Sequence, residues 1–142
     1  VHTKFGILPF VALGGALGTA LRSVAIDARP DPPGAFPWTM LAVNVVGSMI
    51  AGALVAAVGN APDRVRLRAV SITGGTGALT SFSTFAVGVV ELADVGRVAA
   101  AAALVGATMT GCVAAAVVGH RVGSRFDRSR TTRLSQDPRE TT

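Results

Sequence analysis

Between Gly74 and Phe85 the chain reads GGTGALTSFSTF, glycines followed by hydroxyls and two phenylalanines. Thr80, Ser81, Ser83 and Thr84 supply hydroxyl groups, and Asn44, in the run LAVNVVGSMIAG, is the one amide of its apolar segment. Such groups can replace part of an anion's hydration shell. A helix broken at Gly77 to Ser81 also frees backbone carbonyls and amides, which is where broken membrane helices place ion sites. Packing is the competing reading, with the glycines making a tight helix crossing and the hydroxyls bonding back to carbonyls one turn earlier. Asn44 divides the same way: a costly amide at membrane depth either locks helices together or faces a wet pathway. Phe82 and Phe85 are three apart and share a helical face. They are packing or lipid-facing aromatics, or they turn the positive edges of their rings to an anion.

No catalytic set accompanies these residues. His2 and His120 lie near opposite chain ends, which gives no support to a histidine-based metal or nucleophile site. The glycines lack the following lysine and the strand context of a phosphate loop. Cys112 is the single cysteine of the 142 residues, so disulfides and cysteine-rich zinc sites are excluded and it reads as a small buried hydrophobe. An enzyme is not expected. The formal net charge of +5 comes without interleaved aromatics, so membrane topology explains the bases and no nucleic-acid partner is expected.

The elements that must position these groups are apolar helices. Half of the residues are hydrophobic and 15% are charged, against about 25% charged in ordinary globular chains. With a mean hydropathy of +0.54, the chain reads as an all-α membrane protein whose solvent is the lipid bilayer. Four spans of about 20 residues suit a hydrocarbon core near 30 Å: about 5–26, 38–59, 69–92 and 98–119, the third broken near the bilayer midplane. Together they form a four-helix transmembrane domain over 1–125, and 126–142 is a basic tail expected to be disordered. No cleavable signal peptide is expected in the first 25 residues. Gly14, Gly15 and Gly18 in the first span, and Gly47, Ser48 and Gly52 in the second, form small-residue seams for close helix approach. Arg22, near the far end of the first span, either snorkels to the headgroups or points inward to fix packing or serve an anion. Trp38 opens the second span as an interfacial aromatic, after a loop with four prolines in DARPDPPGAFP.

The bases are unevenly placed. The side holding both termini and the loop after the second span carries Lys4, three loop arginines and six tail arginines, ten bases against Arg22, Arg29 and Arg97 on the other. That bias predicts both termini in the cytoplasm.

GGALGTALR at 14–22, VNVVGSMIAG at 43–52 and above all GGTGALTSFSTF at 74–85 resemble the small four-helix fluoride channels of the Fluc (CrcB) family, over about Phe5 to Gly119. The resemblance implies an antiparallel, dual-topology dimer with two fluoride pathways and a structural sodium ion (Na+) at its interface. It implies passive export of cytoplasmic fluoride across a bacterial or archaeal cell (inner) membrane. Carried onto this chain, Asn44 is the pore-lining amide, Phe82 and Phe85 are the aromatic pair along the fluoride path, and Ser83 and Thr84 are nearby hydroxyls. Gly77 and Thr80 give backbone carbonyls to sodium, and Arg22 is a structural or vestibule residue. The chain departs from the family in having Gly75 where a phenylalanine is frequent, Ser81 where a second threonine is frequent, and Thr39 and Met40 where a glycine-threonine pair stands. It lacks the fourth-helix tyrosine and serine, leaving Thr108 and Thr110 as the hydroxyls available to a pore. Because the charge bias fixes one orientation, the antiparallel partner is expected to be an oppositely oriented homologue, with self-pairing as the runner-up. The class-level alternatives are a non-conducting membrane assembly protein and a small-anion transporter of other specificity.

Overall fold

A computed structural model describes residues 6–58 and 64–134. Every regular element among them is helical: α1 (Leu8–Ala28), α2 (Trp38–Val58), α3 (Val65–Arg68), a π-helical stretch (Ala69–Thr76), α4 (Gly77–Leu79), α5 (Phe82–Asp94) and α6 (Val98–Leu134). The segments Leu8–Ala28, Trp38–Val58, Val65–Asp94 and Val98–Arg125 are each long and apolar enough to cross a membrane. Leu13, Leu17, Leu21 and Val24 on α1 and Val113 on α6 are each more than half exposed, a face that lipid tails solvate as well as a protein core would. The buried cluster is correspondingly small, formed by Met40, Phe85, Leu92, Ala101 and Leu104 from α2, α5 and α6.

Helix ends show how the chain turns between spans. The first amides of α2 need outside acceptors, and the Asp31 carboxylate in the preceding loop accepts from the Thr39 amide at 3.0 and 3.1 Å and from the Met40 amide at 3.2 Å. Thr39 Oγ1 also donates to the Arg29 carbonyl at 2.7 Å, so the polar side chain at this departure position ties the loop to the helix mouth. At the other end of α2, Arg64 Nη1 donates to the carbonyls of Ala57 (3.0 Å) and Val58 (3.4 Å), a basic side chain on the last carbonyls described for this helix. α5 stops in a Schellman turn: Arg97 N bonds Leu92 O at 2.8 Å and Gly96 N bonds Ala93 O at 2.9 Å. Gly96 takes the left-handed φ of +77° that this turn requires. Arg97 then donates to the Gly34 carbonyl at 2.8 Å, joining the two loops on that side.

Glycines allow the spans to touch backbone to backbone. A Cβ at Gly14 would meet Val70 O and the Gly75 amide, and one at Gly18 would meet Gly75 O. α1 therefore lies directly against the π-helical stretch. α2 and α6 form the most extensive helix pair, and a Cβ at Gly52, Gly119 or Gly123 would strike Ala116 O, Met49 O or Ala53 O. Gly15 is different from its expected role, having nothing within 4 Å of a built Cβ. The seam on α1 follows i and i+4, Gly14 and Gly18, and Gly15 is turned off that face.

Two further features differ from the sequence reading. The third span begins at Val65, earlier than 69, and its stretch Ala69–Thr76 is π-helical, a form associated with functional sites. α6 continues past Gly119 to Leu134, into the segment expected to be a disordered tail. No proline occurs there before Pro138, and arginine and leucine favour helix, so nothing local stops it. Phe5, Gly59 and the tail beyond Leu134 lie outside the described residues.

Candidate functional site

The helical path of the third span is interrupted at two residues. Thr80 is extended, with φ −78° and ψ 148°, and so is Ser81, with φ −140° and ψ 111°. The interruption is held from across the bundle by Asn44, which is 5% exposed. Its Oδ1 accepts from the Ser81 amide at 2.9 Å, while its Nδ2 donates to the Ser81 carbonyl at 3.3 Å and to Met40 Sδ at 3.2 Å. The side-chain oxygen thus replaces the helical acceptor that the Ser81 amide gives up, while the Ser81 carbonyl keeps its helical donor, the Phe85 amide at 3.4 Å; each such bond contributes about 1 kcal/mol net while an orphaned buried group costs about 1–3 kcal/mol. A Cβ at Gly47 would lie 2.7 Å from Thr80 Cγ2, so α2 is also bare where Thr80 seats.

Ser81 starts α5 as its N-cap. Its Oγ accepts from the Thr84 amide at 3.2 Å and shares hydrogens with Thr84 Oγ1 (2.8 Å) and Ser83 Oγ (3.2 Å). These exchanges shift the carbonyl pattern. In an α-helix the Ser81 amide would donate to Gly77 O and the Thr84 amide to Thr80 O; both go elsewhere, so those two carbonyls lose their helical donors.

Beside the interruption is a cavity of about 190 Å³, lined by Asn44 and Ser48 from α2, Thr80 and Ser81, Phe82 and Phe85 from α5, and Thr108, Met109 and Cys112 from α6. Phe85 is buried at 6% exposure and Phe82 lies at the surface at 75%. Their rings are 5.6 Å apart at an interplanar angle of 50°, which offers tilted edges along one line. Thr108 is 5% exposed, and its Oγ1 is buried without a hydrogen-bond partner.

The fold therefore separates the expected site residues. Asn44, Thr80, Phe82, Phe85 and Thr108 come together on the cavity. Ser83 and Thr84 sit behind it in the cap cluster, and Gly77 is an exposed helical residue one turn before the interruption. Thr110 faces away: it is exposed and its Oγ1 donates to Gly106 O at 2.6 Å. Arg22 is half-buried on α1 and does not line the cavity. Sequence reasoning named Ser81 only as one of four hydroxyls at the break, without its capping role, and left Ser48, Met109 and Cys112 out of the site. Ser81 carried a usable signal, a serine preceding a phenylalanine-rich run with a hydroxyl three residues on, the pattern of an N-cap. The other three depend on which face of α2 or α6 turns inward.

Four membrane-length helical spans among the described residues, with Asn44, Ser48, Thr80 and Ser81 edging a cavity beside the interrupted third span, are the framework of a multi-pass membrane protein. Residues 9–120 match the model of the family described as CrcB-like protein, Camphor Resistance (CrcB), and the chain belongs to that family. It is 39% identical over 116 residues to the fluoride-specific ion channel FluC of Chelativorans sp., covering 79% of this chain and 91% of that protein. It is 36% identical over 110 residues to FluC of Bordetella pertussis, covering 77% and 84%. With FluC 2 of Streptomyces avermitilis it shares 36% over 109 residues, covering 76% and 69%. These relatives are named as channels, a class of transport protein and not of enzyme.

Proposed function

We propose that this protein is a subunit of a passive fluoride-selective channel that exports cytoplasmic fluoride and so reduces its toxicity. The observation that carries the reading is the cavity where Asn44, the unpartnered Thr108 hydroxyl and the Phe82–Phe85 pair meet beside the interruption, in a chain whose relatives bear the name of fluoride channels.

A small anion leaving water needs donors in place of its hydration shell. The Thr108 hydroxyl has no acceptor of its own and can donate to the anion. Asn44 Nδ2 spends one hydrogen on a thioether sulfur, a weak acceptor that an anion displaces. The tilted phenyl edges of Phe82 and Phe85 supply positive electrostatic potential along the path without a fixed charge that would trap the ion. Because no full positive charge lines the cavity, binding is weak enough for passage in the direction set by gradient and membrane potential. Acid carries HF inward, the neutral cytoplasm releases fluoride, and the inside-negative potential drives the anion out.

The same reading makes the interruption a midplane feature of a broken helix and gives the Gly77 and Thr80 carbonyls to a structural sodium ion. Two hard oxygen acceptors relieved of their helical donors fit such an ion, which would neutralise carbonyl dipoles and hold the subunits together. The dimer is antiparallel, and its partner is an oppositely oriented homologue because the charge bias of this chain fixes both termini in the cytoplasm of the cell (inner) membrane. Self-pairing is the competing arrangement.

Fluoride efflux from liposomes holding the purified protein, alone and with a candidate partner, tests the proposal. Rapid fluoride efflux without chloride efflux is expected, with strong loss in Phe82→Ile. No fluoride flux from a correctly paired dimer rejects the channel. Replacing sodium by a larger organic cation is expected to weaken the dimer; unchanged dimer stability rejects the sodium site.

A further inference from the structure

Arg121 and Arg125 are exposed on α6, at the end of its membrane-length stretch Val98–Arg125. Helix register fixes the side they occupy. Gly119 and Gly123 each stand two residues from Arg121; both are buried, and a Cβ on either would strike the backbone of α2 at Met49 or Ala53. Two residues turn an α-helix by about 200°, so Arg121 faces away from that seam, and so does Arg125, two residues past Gly123. Val117 and Val113 lie four and eight residues before Arg121, and both are exposed. A spacing of four keeps neighbours on one flank, so the outer side of α6 is an apolar column ending in two guanidinium groups. The helix continues through Arg128, seven residues past Arg121 and again on that flank by register. The acidic residues with described side chains, Asp27, Asp31, Glu91 and Asp94, belong to the other end of the bundle, where α1 and α5 stop and α6 starts. Asp127, two residues past Arg125, falls on the opposite side in register.

We propose that the outer face of α6 docks an anionic phospholipid, its phosphate on Arg121 and Arg125 and an acyl chain along Val117 and Val113. A long basic side chain at the edge of a span carries its charge to the headgroups, and the anion at that level is phosphate. The planar fork of arginine matches two phosphate oxygens at once, which the point charge of lysine does not; Lys4 is the single lysine among the 13 basic residues. The flank carries bases and no acid, so a headgroup with net negative charge fits it better than one that brings its own ammonium. Free phosphate shares the headgroup chemistry but has no chain to lie on the valines. The site does not depend on the channel reading.

Native mass spectrometry of the full-length protein in detergent, titrated with phosphatidylglycerol or with phosphatidylcholine of the same chains, tests the site by the lipid each species retains. Preferential retention of phosphatidylglycerol is expected, and Arg121→Gln and Arg125→Gln are each expected to lower its apparent affinity about fivefold. Arg29→Gln, an exposed arginine at the other end of the bundle, is expected to leave retention unchanged. The double change Arg121→Lys with Arg125→Lys keeps the charge without the fork and is expected to fall between the parent and the glutamine variants. Soluble glycerol phosphate at the same concentration is expected not to displace the lipid. Equal retention of the two lipids by the parent overturns the site. An equal loss in Arg29→Gln overturns its placement on α6, full retention by the lysine pair overturns the fork, and displacement by glycerol phosphate overturns the acyl column. Size-exclusion profiles check that the variants are folded; should a glutamine variant fail that check, the parent's choice between the two lipids and the Arg29→Gln comparison still decide the site.

Discussion

Asn44 shows how one polar side chain can create the irregular backbone that a site needs. Its amide holds both the N–H and the C=O of Ser81, and Asn44→Leu leaves the N–H with no partner in a buried place, the carbonyl keeping the Phe85 amide at 3.4 Å. A loss of about 1–3 kcal/mol is expected from the one orphaned group, together with loss of fluoride efflux. Hydrogen exchange at Ser81 and Thr84 should rise sharply, and parent-like protection there would sink the clamp. Thr108 predicts the opposite pairing of effects. Its Oγ1 bonds nothing in the protein, so Thr108→Val removes no internal bond: denaturant stability is kept or raised, while efflux falls. Thr110→Val removes a bond on the outer face and is expected to leave efflux at the parent rate. Both threonines were legible as hydroxyls on the fourth span, but two residues are about 200° apart round a helix. Choosing between them needs the packed face, which an apolar helix with few polar markers does not reveal.

At the scale of the element, the glycines divide into those that touch and those that do not. Gly119→Val places a side chain onto the Met49 backbone, and α2 and α6 must separate by more than flexible side chains can absorb. Such overpacking costs about 1–3 kcal/mol or more, and loss of the folded species on size-exclusion chromatography is expected. Gly15→Ala meets open space, so it should gain up to about 1 kcal/mol of helix propensity; a lower melting temperature for Gly15→Ala would count against the α1 packing described. The seams were legible as stretches of small residues, and four spans were legible from hydropathy and loop prolines. The π-helical turn over Ala69–Thr76 was not: a segment apolar on nearly all sides shows no periodicity to distinguish its winding. Its cause is tertiary, because Gly14, Gly18, Gly74 and Gly75 press two backbones together.

For the whole molecule the decisive quantity is the asymmetry of charge between its two ends. Arg64 caps α2 through two carbonyls, and Arg66 lies 5.4 Å from the Phe10 ring centroid on α1. These bases do structural work at one end of the bundle as well as biasing insertion. At the other end, Asp31 caps α2 and Arg97 bonds a loop carbonyl. These contacts lie within the chain and turn over with it, so they are the same in either insertion and the orientation rests on the placement of the bases alone. Insertion follows Lys and Arg near the membrane ends, so C-terminal reporter fusions are expected to give signal on the cytoplasmic side alone. Co-expression with an oppositely biased homologue is expected to leave that orientation unchanged while raising the yield of dimer. Equal signal on both sides from this chain alone would defeat the fixed-orientation idea and favour self-pairing. A companion chain with Arg66 and Arg68 changed to glutamine, and two lysines added after Asp94, tests the charge bias directly. Part of the population is expected to invert and remain folded, because the internal caps are untouched. A reporter signal that stays wholly cytoplasmic in that chain would show that these bases do not set the orientation.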